Sequence, residues 1–325
     1  MSISAKDVAE LRKATGAGLM DCKKALQESD GDYEGALDYL RKKGQKVAAK
    51  RADRDTTEGV VVTLCDDAGT TGVVMALSCE TDFVAKNEGF VALANEIASA
   101  ALAAGAKTAE EVTALTIDGQ TVAEKLVENT GKIGEKIEVS GYDLISGENL
   151  ASYIHAGSKI GVLMSYKDGG KDGADQFFRG IAMHIAAMNP SILHYSEFDM
   201  ELVERETAAK QGEIKVENED RERLGKALKT VPQYVSRAQL TPEVMAAAEE
   251  TIKEELKSEG KPEKIWDRIL PGKLERFVAD NTLLDQERCL LNQFFAMDDS
   301  KTVEQVVKEF HDDAEIVRYS RCSVS

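Results

Sequence analysis

The residues able to do chemistry are few and scattered. The histidines, at positions 155, 184, 194 and 311, form no HExxH or other local metal signature. His184 sits among Ala182, Met183 and Ile185 on a predicted apolar helix face, which suits a packed side chain. His155, just before Ala156-Gly157 at a predicted hairpin turn, suits a contact role and a plain turn role equally well. Cysteines stand at 22, 65, 79, 289 and 322, odd in number and without a CxxC pair, the pattern of reduced thiols. Asp21 beside Cys22 disfavours a thiolate, so a nucleophile is not expected there. Gly16-Ala17-Gly18 lacks the GK[ST] ending of a phosphate loop, and Gly169-Gly170-Lys171-Asp172-Gly173 lacks its spacer and hydroxyl. No GxSxG elbow occurs. Acidic pairs are unspecific in a chain of net charge -17. The residues therefore point to a protein that acts by binding, with no catalytic residues, cofactor or metal site of its own.

One stretch stands out instead, Cys79-Glu80-Thr81-Asp82-Phe83-Val84-Ala85-Lys86-Asn87-Glu88-Gly89-Phe90. It joins the strand-like run 72–77 to a helical pattern starting at Phe90. Thr81 and Asp82 are helix-capping types, and Phe83 follows them. A strand-to-helix turn of this kind can display a side chain on a rigid base. The same aromatic can instead fold back as a staple under its own helix.

The elements around it read as follows. Ser4 with Asp7 makes a capping box for a first helix carrying Val8, Leu11 and Arg12. Gly16-Ala17-Gly18 breaks it; a second helix spans 19–27; Asp30-Gly31-Asp32 introduces a third from Tyr33 to about 41. The basic stretch 41–54 leads out as helix or linker. Three helices with short glycine-rich joints suggest a ubiquitin-associated-like (UBA-like) bundle, usually a docking module. Residues 60–64 and 72–77 read as a β-hairpin, and the next helix carries Phe90, Leu93, Ala94, Ile97, Ala98 and Ala101 on one face. The unit recurs: residues 151–156 and 161–166 form a second hairpin, and Phe178, Ile181, Ala182, Ile185 and Ala186 repeat the helix spacing. The second connection, 167–173, has no aromatic, which favours display of Phe83 in the first.

Between the copies lie a helical stretch, 122–129, and Gly131-Lys132-Ile133-Gly134-Glu135. Ile133 is either an exposed apolar tip or the buried anchor of a helix C-cap. Residues 200–209 and 242–257 read as amphipathic helices of an inserted hairpin or coiled-coil arm, with Pro242 at a first turn. Residues 301–310 read as a helix and 314–319 as a closing strand. The expected fold is α+β: an N-terminal three-helix bundle with its basic linker (1–54), a core of two similar α+β subdomains with antiparallel sheets (55–149; 150–190 with 262–325), and the inserted arm (191–261). Two or three domains suit 325 residues, and aromatics at only 6% lean towards helix.

Residues 1–54 carry twelve basic and nine acidic residues, a balance of +3 that leaves -20 for the remainder. The acidic whole argues against nucleic acid and anionic membranes, while the first module could meet an acidic partner. The N-terminus reads as neither a secretory signal nor a transit peptide. No run approaches the roughly 20 apolar residues of a membrane span. A cytoplasmic protein is expected.

Taken together, the chain resembles the elongation factor Ts family, the guanine-nucleotide exchange factors of elongation factor Tu. Leu11-Arg12 and the run from Thr15 through Gly16-Ala17-Gly18-Leu19-Met20-Asp21-Cys22 to Leu26 resemble that family's docking helices. Thr81-Asp82-Phe83-Val84-Ala85-Lys86 with Phe90 resembles its signature motif. Tyr153-Ile154-His155-Ala156-Gly157 through Leu163, with Ile185-Ala186-Ala187, resembles its second subdomain, and Gly260-Lys261-Pro262 extends the match. The resemblance implies a partner, elongation factor Tu, GDP-bound or nucleotide-free, into whose G domain Asp82 and Phe83, within Thr81 to Val84, enter as a wedge that dislocates the partner's magnesium. It implies docking through Arg12, Leu19 and Met20, the family's methionine being Leu19 here. It implies further core contacts at Ile133, Gly134 and His155. Homodimer pairing through the arm is an open option. Two features depart from the family pattern: a longer 190–261 insertion, and a chain that ends soon after the closing strand. The alternative kept beside this is an adaptor that acts through the N-terminal bundle.

Overall fold

The computed structural model describes residues 3–324. Its chain divides into two compact units, one running to Ala186 and resuming at Glu315, the other Ala187–Ala314. The fold is α+β, with antiparallel sheets throughout the first unit.

The first unit begins with α1 (Ala5–Thr15), α2 (Leu19–Glu28) and α3 (Tyr33–Arg51). Ser4 and Asp7 exchange the two bonds of a capping box, and Gly16 ends α1 in the left-handed region at φ 67. Val8, Leu11, Cys22, Ala25, Leu26 and Ala36 form the bundle core. The third helix does not stop near residue 41. The basic stretch continues it to Arg51, because most of its residues are good helix formers and its far half finds a helical partner.

A hairpin of β1 (Glu58–Cys65) and β2 (Thr71–Cys79) leads to the single turn α4 (Asp82–Ala85), then α5 (Glu88–Ala104) and α6 (Ala109–Ala114). Short strands β3 (Thr116–Ile117) and β4 (Gln120–Thr121) precede α7 (Val122–Ile133), and β5 (Glu138–Ser146) then pairs with β2. The second hairpin is β6 (Asn149–Ile154) and β7 (Ile160–Lys167), followed by α8 (Ala174–Met188). The closing strand Glu315–Ser323 pairs with β7. Both sheets thus have one topology, a hairpin extended by a later strand beside its second member.

β2 is buried at nearly every position, because its sheet is covered on both faces. On one face Val60, Val62, Val73, Met75 and Leu77 meet Phe90, Leu93, Ala94 and Ile97 of α5. On the other, Val61, Val74 and Ala76 meet Leu163 and Cys322 of the second sheet. A Cβ on Gly161 would come within 2.6 Å of Val61, so glycine there permits the close approach. Beyond the second sheet Tyr166 stacks on Phe178 of α8 at 3.8 Å and donates its hydroxyl to Asp175 at 2.8 Å. Burying Phe178 completely contributes about 1.5–3 kcal/mol.

Where α3 crosses α7, Gly44 faces Gly131, and a Cβ on Gly131 would lie 2.5 Å from the Gly44 Cα. Two backbones in contact join the N-terminal helices to the rest of this unit.

The second unit holds α9 (Met200–Arg223), α10 (Pro242–Ser258), α11 (Trp266–Asp280), α12 (Leu283–Arg288), β8 (Phe294–Phe295), β9 (Asp298–Thr302) and α13 (Val303–Phe310). Phe198, Val203, Val235, Leu284 and Cys289 form a small core. α9 runs well past the residue 209 expected from its apolar spacing, since its distal part is polar and needs no buried stripe. Irregular chain returns alongside it: Asn218 both donates to the Lys229 carbonyl and accepts its N–H, and Arg221 donates to Ala227. α10 instead packs with α11, where Lys273 lies 3.3 Å from Glu255 and from Glu259.

Candidate functional site

Cys79 ends β2 with its side chain buried. Its thiol donates to the Thr81 carbonyl at 3.2 Å. Burial, with the nearby Glu135 charge, pushes that thiol up to about 11, so it stays protonated and serves the turn as a donor.

Glu80 follows. Arg51 of α3 brings Nη1 within 2.7 Å of both Glu80 carboxylate oxygens, and the Lys136 N–H donates to Oε1 at 2.7 Å. Burial opposes the charge, but the Lys136 N–H and the Arg51 guanidinium outweigh it and hold Glu80 below its ordinary 4.5. Glu135, just past α7, reaches the other way. Its Oε2 accepts the N–H groups of Glu80 (3.2 Å) and Thr81 (2.9 Å), and its Oε1 accepts the Thr81 hydroxyl (2.7 Å). Thr81 occupies the N-cap position of α4, yet its side chain makes no cap bond, because that hydroxyl is committed to Glu135.

On this base α4 turns Val84 and Ala85 towards the core and leaves Phe83 83% exposed. The staple alternative is thereby decided against. Asn87 starts α5 afresh by accepting the Gly89 and Phe90 N–H groups, so Phe83 belongs to a separate turn and Phe90 fills the space beneath the helix. Asp82 takes a 2.6 Å bond from Lys86, which holds its carboxyl below the usual range, with Lys159 adding to the effect.

Ile133 is the last residue of α7 and is 39% exposed. Gly134 caps the helix at φ 83, its N–H donating to Thr130 at 2.8 Å. The C-cap is present, but its apolar residue is not a buried anchor. His155 is exposed at the end of β6, with Nδ1 3.1 Å from the Tyr153 hydroxyl. Lys159 in the same connection pairs with Glu58 at 2.7 Å, and Glu58 stands opposite Cys79 in the hairpin register. The structure therefore gathers residues 81–84, 133–134 and 155 at one edge, through Glu135 on one side and Glu58 on the other.

Arg12 is exposed in the last turn of α1, and Leu19 (52%) and Met20 (71%) are exposed in the first turn of α2. Cys22 and Leu26 point into the bundle core, and the helix period turns Met20 away from them; Leu19 shares their face by period but stands in the first turn, where it stays exposed. Arg12, Leu19 and Met20 form a second group, carried by the bundle and set beside α7, where a Cβ on Gly16 would meet the Lys132 side chain at 3.8 Å. A cleft of about 320 Å³ lies along this junction, lined by Thr15, Asp21, Arg41, Gly131 and Lys132 among others.

Sequence reasoning missed Arg51, Glu80, Glu135 and Lys136, the residues that hold the turn. Their pairings span 29 to 56 residues, beyond the reach of local patterns. The signal was thin: Glu80 and Glu135 lie within the two segments singled out, 79–90 and 131–135, but nothing local pairs one with the other. Among the described residues no group of three or more His, Cys, Asp or Glu could hold a metal ion, and no helix is long and apolar enough to cross a membrane.

A family model described as Elongation factor TS matches residues 80–231 and 226–325. Elongation factor Ts of Rhodopirellula baltica is 67% identical over 326 aligned residues, covering 100% of this chain and 99% of that protein. The Flavobacterium johnsoniae protein of that name is 49% identical over 323 residues, covering 99% of each. The one from Campylobacter curvus is 44% identical over 332 residues, covering 99% of this chain and 94% of its own.

Proposed function

The chain belongs to the elongation factor Ts family, and from that premise we propose that it is the nucleotide exchange factor of elongation factor Tu in translation elongation, working in the cytoplasm by binding rather than by catalysis of its own. The observation that carries the mechanism is the presentation of Phe83, a large apolar ring in solvent on a one-turn helix fastened from both sides by carboxylates. An aromatic so placed gains by leaving water and needs no hydrogen-bond partner where it arrives.

On this reading residues 1–54 are a UBA-like docking module that engages Tu through Arg12, Leu19 and Met20. Residues 55–149 and 150–186 with the closing strand are the two core subdomains, and the inserted arm, expected over 191–261, is taken together with 262–314, whose Leu284 and Cys289 share its small core. Ile133, Gly134 and His155 flank the wedge as further contacts. Asp82 and Phe83, supported by Thr81 and Val84, enter the G domain beside the nucleotide. In such GTPases magnesium is held by a loop hydroxyl and a carboxylate and bridges the phosphates. A small displacement there removes counter-charge, GDP leaves and GTP can load. Exchange is then a reciprocal coupling: about 3 kcal/mol changes both affinities roughly 150-fold.

The test is release of fluorescent GDP from elongation factor Tu by substoichiometric protein. Wild type should accelerate release, and Phe83→Ala should blunt it. Equal acceleration by the variant would exclude the wedge.

A further inference from the structure

The two segments that meet beneath α4 exchange carboxylates. Glu80 accepts the Lys136 N–H, while Glu135 accepts the N–H groups of Glu80 and Thr81 and the Thr81 hydroxyl. Arg51 closes the outer side of Glu80 at 2.7 Å. Each segment's backbone is thus held by the other's side chain, with a cation from α3 completing the clasp.

Little inside α4 could do this work. The helix has four residues and no side-chain cap, and a single turn is not stable by itself. Hydrogen bonds to a carboxylate are roughly twice as strong as neutral ones. With Val84 and Ala85 seated on the core, the clasp therefore fixes the direction in which Phe83 points, and it does so between α3, which carries the N-terminal bundle, and α7, which carries Ile133.

We propose that Glu80 and Glu135 are positioning residues for nucleotide exchange, fixing the angle at which Asp82 and Phe83 are presented, and that Arg51 ties this angle to the helix bearing the docking bundle. The inference rests on Asp82-Phe83 being the wedge. All three residues act through the turn.

Titration of the 325-residue chain against Tu loaded with fluorescent GDP yields a maximal release rate and a half-saturating concentration. Glu135→Ala should lower the maximal rate about 10- to 100-fold, the scale of a lost charge-assisted bond or a misplacement of order 1 Å. Its half-saturating concentration should change little, and the Glu80 and Thr81 amides should lose hydrogen-exchange protection. Glu135→Gln keeps a carbonyl acceptor and should restore most of the rate. Arg51→Met should reduce the maximal rate in the same direction but by less. A variant that is merely part-unfolded would instead raise the half-saturating concentration and keep the maximal rate; that pattern for Glu135→Ala overturns the proposal. Phe83→Ala run alongside separates the layers. Loss with Phe83→Ala but none with Glu135→Ala removes the clasp and leaves the wedge standing, whereas no loss with Phe83→Ala removes the wedge itself.

Discussion

At the scale of single residues, the edge around α4 trades stability for presentation. Full burial of a phenylalanine contributes about 1.5–3 kcal/mol, and Phe83 forgoes it. Phe83→Ala should therefore leave the urea midpoint almost unmoved, within about 0.5 kcal/mol, while slowing exchange about tenfold or more, as expected for an aromatic anchor. Glu80 should behave oppositely. Its native pKa lies below 4.5, so folding favours its charged form. That stabilisation is complete above pH 4.5 and is lost as pH falls through the lowered native value. Glu80→Gln should cost roughly 1–2 kcal/mol at neutral pH, and the gap from wild type should close on acidification through that window. Urea midpoints over a pH series would measure it; a gap that widens in acid would contradict the pairing.

At the scale of elements, the crossing of α3 over α7 decides how the N-terminal helices are attached. A Cβ on Gly131 would face the Gly44 backbone at 2.5 Å, whereas one on Gly44 would meet nothing closer than 3.4 Å. Alanine is otherwise the better helix residue by about 1 kcal/mol. Gly44→Ala should therefore be neutral or mildly stabilising, and Gly131→Ala should destabilise by about 1–3 kcal/mol as the helices are forced apart. Denaturation of the pair would check this, and equal effects would refute the backbone contact. Both glycines were legible as residues, but their meeting was not, because they lie on different helices far apart in sequence. The same limit left the basic stretch after residue 41 open between helix and linker, and it hid the length of α9. Local apolar spacing fades after residues 41 and 209, while the helices continue on propensity, salt bridges and tertiary support.

At the scale of the molecule, two units have separate cores, one extensive around β2 and one small around Leu284. Multi-domain chains commonly depart from two-state unfolding. Calorimetry should resolve two transitions, and Leu284→Ala, which empties a fully buried site, should lower one of them by about 2–5 kcal/mol of stability and leave the other nearly in place. A single transition that shifts as a whole would show one cooperative unit. The 67% identical Rhodopirellula baltica protein aligns over nearly its whole length, so the 191–261 stretch is shared with that relative.

Sequence alone determined the α+β class, the repeated hairpin-and-helix unit and the family, because alternation, helical spacing and motif residues are local or linear properties. It also marked Phe83 and Ile133 as the places where display and burial competed; the aromatic-free second connection favoured display of Phe83, and the family resemblance implied contact roles for both. The tertiary structure decided that Phe83 stands in solvent, since whether a side chain is covered depends on what the rest of the chain places around it. It also supplied Arg51, Glu80 and Glu135 as the supports of that turn, contacts whose sequence separations leave no periodic trace.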